Sequence, residues 1–321
     1  RQEAQYRKLD TTQRAKVDAI FQGYEEKNYI RRLMGPEIQD LDCRSLPYFC
    51  VVDEHKDTTP VRVVWDCRAV YYGKSLISEI EDTPNRLQDL FRVLLRLRRY
   101  RWALTADVSE MILRVRLNPD DGRYHRFIHD TQDFEWLSML FGNVSSPTAS
   151  QKVFAKLCEM FGENYPEAVG TLRNSFYMDD ASDSRPTEEE ALQLAHQLIE
   201  LLKFATMPIR KFYSNSQKVL SSLDPELLAK QVTIGDKVVD IEPGMILGMK
   251  YNAGAEEDYL SFSGKFKSVR EWMNKSQVTV VEPGDWTKRK IAKAAASIYD
   301  PHGLIADRKS TRLNSSHEFV S

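Results

Sequence analysis

Phe176-Tyr177-Met178-Asp179-Asp180-Ala181-Ser182-Asp183-Ser184 is the stretch that decides the fold. An aromatic-apolar run meets two adjacent carboxylates, and small polar residues follow. Phe176 to Met178 ends a strand, Asp179 and Asp180 fit a tight turn, and Ala181 onward starts the return strand. Asp suits such a turn because its short side chain bonds nearby backbone. The hairpin would hold two negative charges at its tip. Left uncompensated they repel, and one Asp keeps its proton. A divalent cation removes the conflict, and carboxylate oxygens suit Mg²⁺, which leaves coordination sites for phosphate.

A turn containing Asp-Asp is common, and taken alone it is only a turn. A third carboxylate upstream gives it weight. Ala103-Leu104-Thr105-Ala106-Asp107-Val108 is a short apolar run ending in acid, seventy-two residues before Asp179. Two neighbouring strands with acids at their ends make a two-metal site for phosphoryl transfer.

With these acids in place, the chain resembles a reverse transcriptase, most closely the Bel/Pao type of LTR retrotransposon, from about Thr58 to Leu304. The resemblance implies an α+β, right-hand polymerase fold with fingers, palm and partial thumb, the antiparallel palm sheet backed by helices. It implies an RNA-directed DNA polymerase that adds dNTPs to a primer 3′ end on an RNA or DNA template. Asp107, Asp179 and Asp180, with the backbone carbonyl of Val108, would hold two Mg²⁺ ions, Mn²⁺ being able to substitute. The expected divisions are a helical lead-in at 1–35, fingers and palm at 36–252, the thumb start at 253–306 and a tail at 307–321.

Bulk properties set the frame. A chain of 321 residues can bury a large core and split into subdomains. Charged residues make up 29 % and hydrophobic ones 42 %, as in soluble globular proteins. A net charge of −2 excludes a uniformly basic nucleic-acid binder, so phosphate affinity must come from local patches. Cys43, Cys50, Cys67 and Cys158 form no CxxC pair and read as free thiols in a reducing compartment. No apolar run reaches the roughly 18 residues that span a membrane. The expected location is cytoplasmic, in retrotransposon particles. Beginning at Arg1, the chain reads as a fragment.

In chain order, residues 1–35 read as helical up to a stop at Gly35-Pro36. Residues 46–70 read as strands. A period of two puts Arg62, Val64, Asp66 and Arg68 on one face, either a phosphate site or a solvated strand edge. By resemblance, Arg62 contacts the incoming triphosphate and Arg68 lies on the template side, with Lys74-Ser75-Leu76 near the template. Residues 83–101 read as a helix opened by Thr83 and Pro84. Its Arg92, Arg96, Arg98, Arg99 and Arg101 form a solvated face or a phosphate track for template or primer.

After Asp107, the family places an aromatic residue under the nucleotide sugar, and Ile112 stands at that position. Asp120-Asp121 reads as a plain turn, and 124–128 as a strand. His125 and His129 share a face without a metal. Leu140-Phe141-Gly142-Asn143-Val144-Ser145-Ser146-Pro147 precedes a helix at 148–161. Phe141 and Gly142 match the family loop against nucleotide and template, while Leu140 replaces its proline. Tyr177 and Met178 carry over as template and primer residues.

Residues 186–202 read as a helix capped by Thr187, with Leu192, Ala195, Ile199 and Leu202 facing inward. Ile209-Arg210-Lys211-Phe212-Tyr213-Ser214-Asn215 resembles a family signature whose lysine, here Lys211, is the candidate general acid for the pyrophosphate leaving group. Its plain alternative is a surface lysine. Leu247 and Gly248 match the hairpin that grips the primer end, with Tyr251 for its tryptophan. Residues 287–304 match the start of the thumb helix. Residues 307–321 read as an artefactual or disordered tail.

Two other classes compete. A degenerate element copy would keep the fold and at most bind nucleic acid. An RNA virus replicase shares three acids but usually carries Gly before the Asp pair.

Overall fold

The computed structural model describes residues 6, 8–52, 61–81, 83–84 and 86–229, together with the backbone of short strands between 232 and 261. The chain divides into two compact units. The first comprises 1–87, 108–173 and 194–209, and the second 88–107, 174–193 and 210–321.

The first unit opens with α1 (Thr11–Glu26), closed at its start by a capping box between Asp10 and Gln13. The expected helix over 1–35 ends early, because Asn28 adopts a left-handed φ of 58°. Tyr29 N–H then reaches back to the Tyr24 carbonyl at 2.8 Å, a Schellman closure with Asn where Gly is usual. Tyr29, Ile30 and Leu33 therefore lie beyond the helix, and β1 (Ile30–Arg32) is a strand. The stop is Asn28 rather than Gly35-Pro36.

Two antiparallel pairings follow: β2 (Tyr48–Val52) with β3 (Val61–Trp65), and β5 (Arg126–His129) with β6 (Gln132–Trp136). β6 also pairs with β1. Phe21 of α1 packs its ring against Tyr48, Trp65, Phe127 and His129. Phe21, Tyr48, Trp65 and Phe127, with Trp136 and Leu140, belong to one buried cluster. Apolar burial at about 25 cal/mol per Å² makes such a cluster the main source of this unit's stability.

Residues Pro119–His125 form a 3₁₀ turn, so the expected strand at 124–128 begins only at Arg126. α2 (Leu76–Glu79) is a single turn capped by Ser75. The unit also holds α4 (Ser146–Phe161), which starts two residues before the expected position, and α5 (Pro166–Asn174) up to Arg173.

In the second unit, α3 (Leu90–Leu97) is much shorter than the expected 83–101 helix. Asp89 is its N-cap and accepts from Arg92 N–H at 2.9 Å. Thr83 is drawn instead to the Thr148 hydroxyl at 3.4 Å. A four-stranded sheet runs in the order β7 (Phe176–Tyr177), β8 (Asp180–Arg185), β4 (Trp102–Val108) and β9 (Ile209–Ser214). β8 pairs antiparallel with both β7 and β4, and α3 packs on β8.

α6 (Glu188–Lys203) runs from this unit into the other, and the Thr187 hydroxyl caps it through Glu190 N–H at 3.2 Å. Its fully buried side chains are Ala191, Leu194, Ala195, Leu198, Leu201 and Leu202. The inward face is rotated from the expected one, leaving Leu192 and Ile199 only half-buried. Beyond β9, Met245–Ile246, Met249–Asn252 and Tyr259–Ser261 form a small antiparallel sheet. Leu247, Gly248 and the segments 262–306 and 307–321 lie outside the described residues. No helix among the described residues is long and apolar enough to cross a membrane.

Candidate metal centre

The β7–β8 hairpin is tighter than the sequence implied. Tyr177 and Asp180 are paired, so the two-residue loop is Met178-Asp179 and Asp180 already belongs to β8. Met178 takes φ 55°, the positive value that a two-residue loop demands at its first position. Asp179 is thrust outward at the tip, and the pair Asp179-Asp180 is split between turn and strand.

The register of β4 against β8 does the rest. Asp107 and Asp180 are direct cross-strand partners, so their side chains leave the sheet on one face. One carboxylate oxygen from each of Asp107, Asp179 and Asp180 lies within 4.8 Å of the others. The same register pairs Trp102 with Arg185 at the other end.

Such crowding shows in the electrostatics. Burial pushes the Asp180 carboxyl up to about 7, and the charges of Asp179 and then Asp107 push the same way. The Asp179 carboxyl, though exposed at the tip, is also raised, first by partial desolvation among the neighbouring groups and then by the charge of Asp107. Lys211 offsets part of both shifts. Its Nζ donates to Asp107 Oδ2 at 2.8 Å.

Lys211 reaches the acids through a break in β9. Arg210 and Lys211 are consecutive exposed residues in a strand that otherwise alternates, and Lys211 has φ 56°. A left-handed residue that breaks strand alternation is the mark of a bulge, which re-aims a side chain. The Ser214-Asn215 end of the same element is stitched to β4. Ser214 Oγ donates to the Ala103 carbonyl at 2.7 Å. The Asn215 side chain accepts from Ala103 N–H at 2.9 Å and donates to the Arg101 carbonyl at 2.8 Å.

These donors fit a divalent cation. Three hard carboxylates converge, two of them hold protons more tightly than an ordinary Asp, and one lysine balances only part of their charge. Hard oxygen donors of this kind select Mg²⁺ or Mn²⁺ over softer metals.

The remaining sequence candidates have these positions. Tyr177 and Met178 are half-buried in the hairpin, and the Val108 side chain is buried at the end of β4. Arg62, Arg68, Ile112, Phe141 and Gly142 belong to the first unit. Arg62 is exposed between buried Val61 and Val63, as the alternation predicts. β3 ends at Trp65, so Asp66 and Arg68 follow in a turn, where Arg68 N–H donates to Asp66 Oδ1 at 3.1 Å. Ile112 is buried in a 3₁₀ turn. Phe141 is exposed, and Gly142 takes φ 97°, where an added Cβ would meet the Trp65 carbonyl oxygen at 3.0 Å.

His125 and Asn143 were not read as supports for that loop. His125 Nδ1 lies 2.9 Å from the Asp121 carbonyl, which assigns it the proton and leaves Nε2 to accept from Asn143 at 3.3 Å. Asn143 Oδ1 then takes both the N–H and the hydroxyl of Ser145 at the start of α4. An Asn two residues before a Ser at a helix start is a readable turn signal. His129, the other histidine, meets the Tyr48 hydroxyl at 2.8 Å and Asp18 at 3.1 Å, a structural role.

No protein-family model and no curated protein matches the chain. Solved structures do. The foamy viral protease–reverse transcriptase in complex with an RNA/DNA hybrid superposes with a TM-score of 0.54 at 16 % identity, over 90 % of this chain and 31 % of that one. The dRH form of the foamy viral protease–reverse transcriptase in complex with double-stranded DNA gives 0.57 at 16 % identity, over 90 % and 40 %. Native prototype foamy virus protease–reverse transcriptase gives 0.52 at 14 % identity, over 95 % and 36 %. This chain thus spans about a third to two fifths of those proteins. Mixed helices and antiparallel sheets, superposable over nine tenths of the chain, give it a reverse-transcriptase-like fold.

Proposed function

We propose that this protein is an RNA-directed DNA polymerase of the Bel/Pao retrotransposon type, extending a primer with dNTPs on an RNA or DNA template. The observation that carries the reading is the convergence of Asp107, Asp179 and Asp180 across the β4–β8 register, within reach of a shared cation. Fingers and palm occupy 36–252 and a thumb begins at 253–306. The setting is a cytoplasmic retrotransposon particle.

In this reading the three aspartates would hold two Mg²⁺ ions, which when bound would lower the pKa of the primer 3′-hydroxyl and neutralise the triphosphate. The 3′-hydroxyl gives its proton to solvent water, and its oxygen bonds to the α-phosphorus as the bond to the pyrophosphate oxygen breaks. Lys211 Nζ, which donates to Asp107 Oδ2 at 2.8 Å, would give its proton to the departing pyrophosphate. Arg62 pairs with the triphosphate, matching phosphate oxygens through its planar fork. Phe141 and Gly142 face base and template, Arg68, Tyr177 and Met178 lie along template and primer, and Leu247 and Gly248 grip the primer end. Ile112 stands under the sugar.

Primer extension on an RNA template with Mg²⁺ tests the reading. Extension by the parent protein that vanishes in Asp179→Asn supports it, and no extension by either folded protein sinks it. A second reading, a non-catalytic copy that keeps the fold and binds nucleic acid, draws on Ile112 standing where an aromatic is expected. An rNTP lane reports whether sugar selection has been lost with that ring.

A further inference from the structure

Five arginines fall within ten residues, 92–101, of a chain whose net charge is −2. Arg96 is structural: its guanidinium donates to the Asn174 carbonyl at 2.6 Å. Arg92, Arg98, Arg99 and Arg101 are exposed, and none forms an ion pair among the described residues. Uncompensated like charges at such density repel, so the surface is complementary to an anion that arrives from outside.

The patch is built to a fixed shape. Ser184 Oγ donates to the Arg96 carbonyl at 2.6 Å and accepts from Tyr100 N–H at 3.0 Å, tying the turn after α3 to β8. Arg99 lies over the Tyr100 ring at 4.9 Å and Arg101 over the Trp102 indole at 5.0 Å. Stacking restrains each guanidinium without consuming its N–H donors. Arginine's fork matches phosphate two bonds at a time, and interleaved rings offer stacking surface to bases.

We propose that Arg92, Arg98, Arg99 and Arg101 form a docking surface for the phosphate backbone of a nucleic-acid strand, distinct from the metal centre. Trp102 and Asp107 are at opposite ends of β4, so the surface lies roughly 17 Å from the acids at a strand rise of about 3.3 Å per residue. Binding there positions a strand without reading its sequence. The partner's identity rests on the polymerase reading, whereas the surface itself rests on its own charge and stacking.

The test is fluorescence anisotropy of a labelled duplex and a labelled single strand, in EDTA, from about 50 to about 200 mM salt. EDTA removes any contribution of the metal centre. Arg98→Gln/Arg99→Gln/Arg101→Gln is expected to cut affinity at least tenfold at the low-salt end. The slope of log K against log salt should fall by about two on the single strand and nearer three on the duplex, since each of three lost phosphate contacts removes about 0.7–0.9. Arg92→Gln, on the exposed face of α3 and away from both ring stacks, should remove about one further contact. It serves if the triple variant melts early. Parent and variant binding with equal slope would overturn the surface and leave the polymerase reading intact. A parent that binds neither nucleic acid would overturn both. Equal, arginine-dependent binding to phosphatidylserine vesicles would overturn nucleic acid as the partner.

Discussion

Lys211 Nζ sits 2.8 Å from Asp107 Oδ2, so a lysine occupies part of the space that a cation shared by the three aspartates would claim. The pair is one-sided, with the lysine mostly exposed and the aspartate mostly covered. Such a pair contributes at most about 1 kcal/mol to stability. Its consequence lies in competition for the acids. Lys211→Met should tighten Mg²⁺ binding several-fold, measured by calorimetry without nucleotide, while primer extension slows. Weaker Mg²⁺ binding in the variant would show that the lysine supports the cation instead of displacing it.

Proton competition adds a pH dependence. With the Asp180 carboxyl pushed up to about 7, the metal-free triad carries an extra proton below that pH, and a cation must expel it. Apparent Mg²⁺ affinity should therefore fall about tenfold from pH 8 to pH 6. Asp180→Asn should bind more weakly and flatten the dependence. A flat profile in the parent protein would refute the coupling.

The same shift has a definite sign for folding. A carboxyl whose folded pKa is raised contributes stability below its unfolded pKa, and loses it as pH rises through the folded value. The metal-free protein should thus lose thermal stability at this site from about pH 4 to about pH 7, and Mg²⁺ should restore it at pH 8. Melting curves at pH 5.5 and pH 8, with and without Mg²⁺, check this, and a larger Mg²⁺ effect at the acid pH would contradict it.

Gly142 cannot take a side chain freely. At φ 97° with a Cβ only 3.0 Å from the Trp65 carbonyl, Gly142→Ala should cost on the order of 1–3 kcal/mol. Gly23→Ala is the matched comparison, since a Cβ there meets nothing within 4 Å inside α1. It should stabilise by about 0.5–1 kcal/mol. Urea titrations of both variants separate the two outcomes.

Asn215 ties β9 to β4 through two side-chain bonds, to Ala103 N–H and the Arg101 carbonyl. Asn215→Ala should destabilise by about 1–3 kcal/mol. Because Lys211 projects from the same strand, extension should also drop beyond what the melting shift explains. A variant that melts early yet extends primers normally when folded would separate the tie from the chemistry.

Local chemistry was legible where a residue's type alone limits its conformation. The strand before Asp107, the hairpin after Tyr177 and the Thr187 cap follow from short-range rules, because backbone geometry there depends on a few neighbouring side chains. Boundaries read less well. Asn28 closed a helix that Gly35 was expected to close, and Asp89 took the cap assigned to Thr83, because several competent residues stood close together and packing chose among them. Likewise the inward face of α6 turned from Leu192 and Ile199 toward Leu194 and Leu198.

The sequence by itself determined which residues could bear the chemistry: three acids, one lysine and a cluster of arginines. Tertiary structure alone decided which of them meet. Asp107 and Asp180 are cross-strand partners only in the observed register, since a slip by one residue would send one carboxylate to the other face of the sheet. Lys211 reaches Asp107 only because β9 carries a left-handed bulge. Register and bulge are set by long-range pairing and core packing, and no local run of residues encodes them.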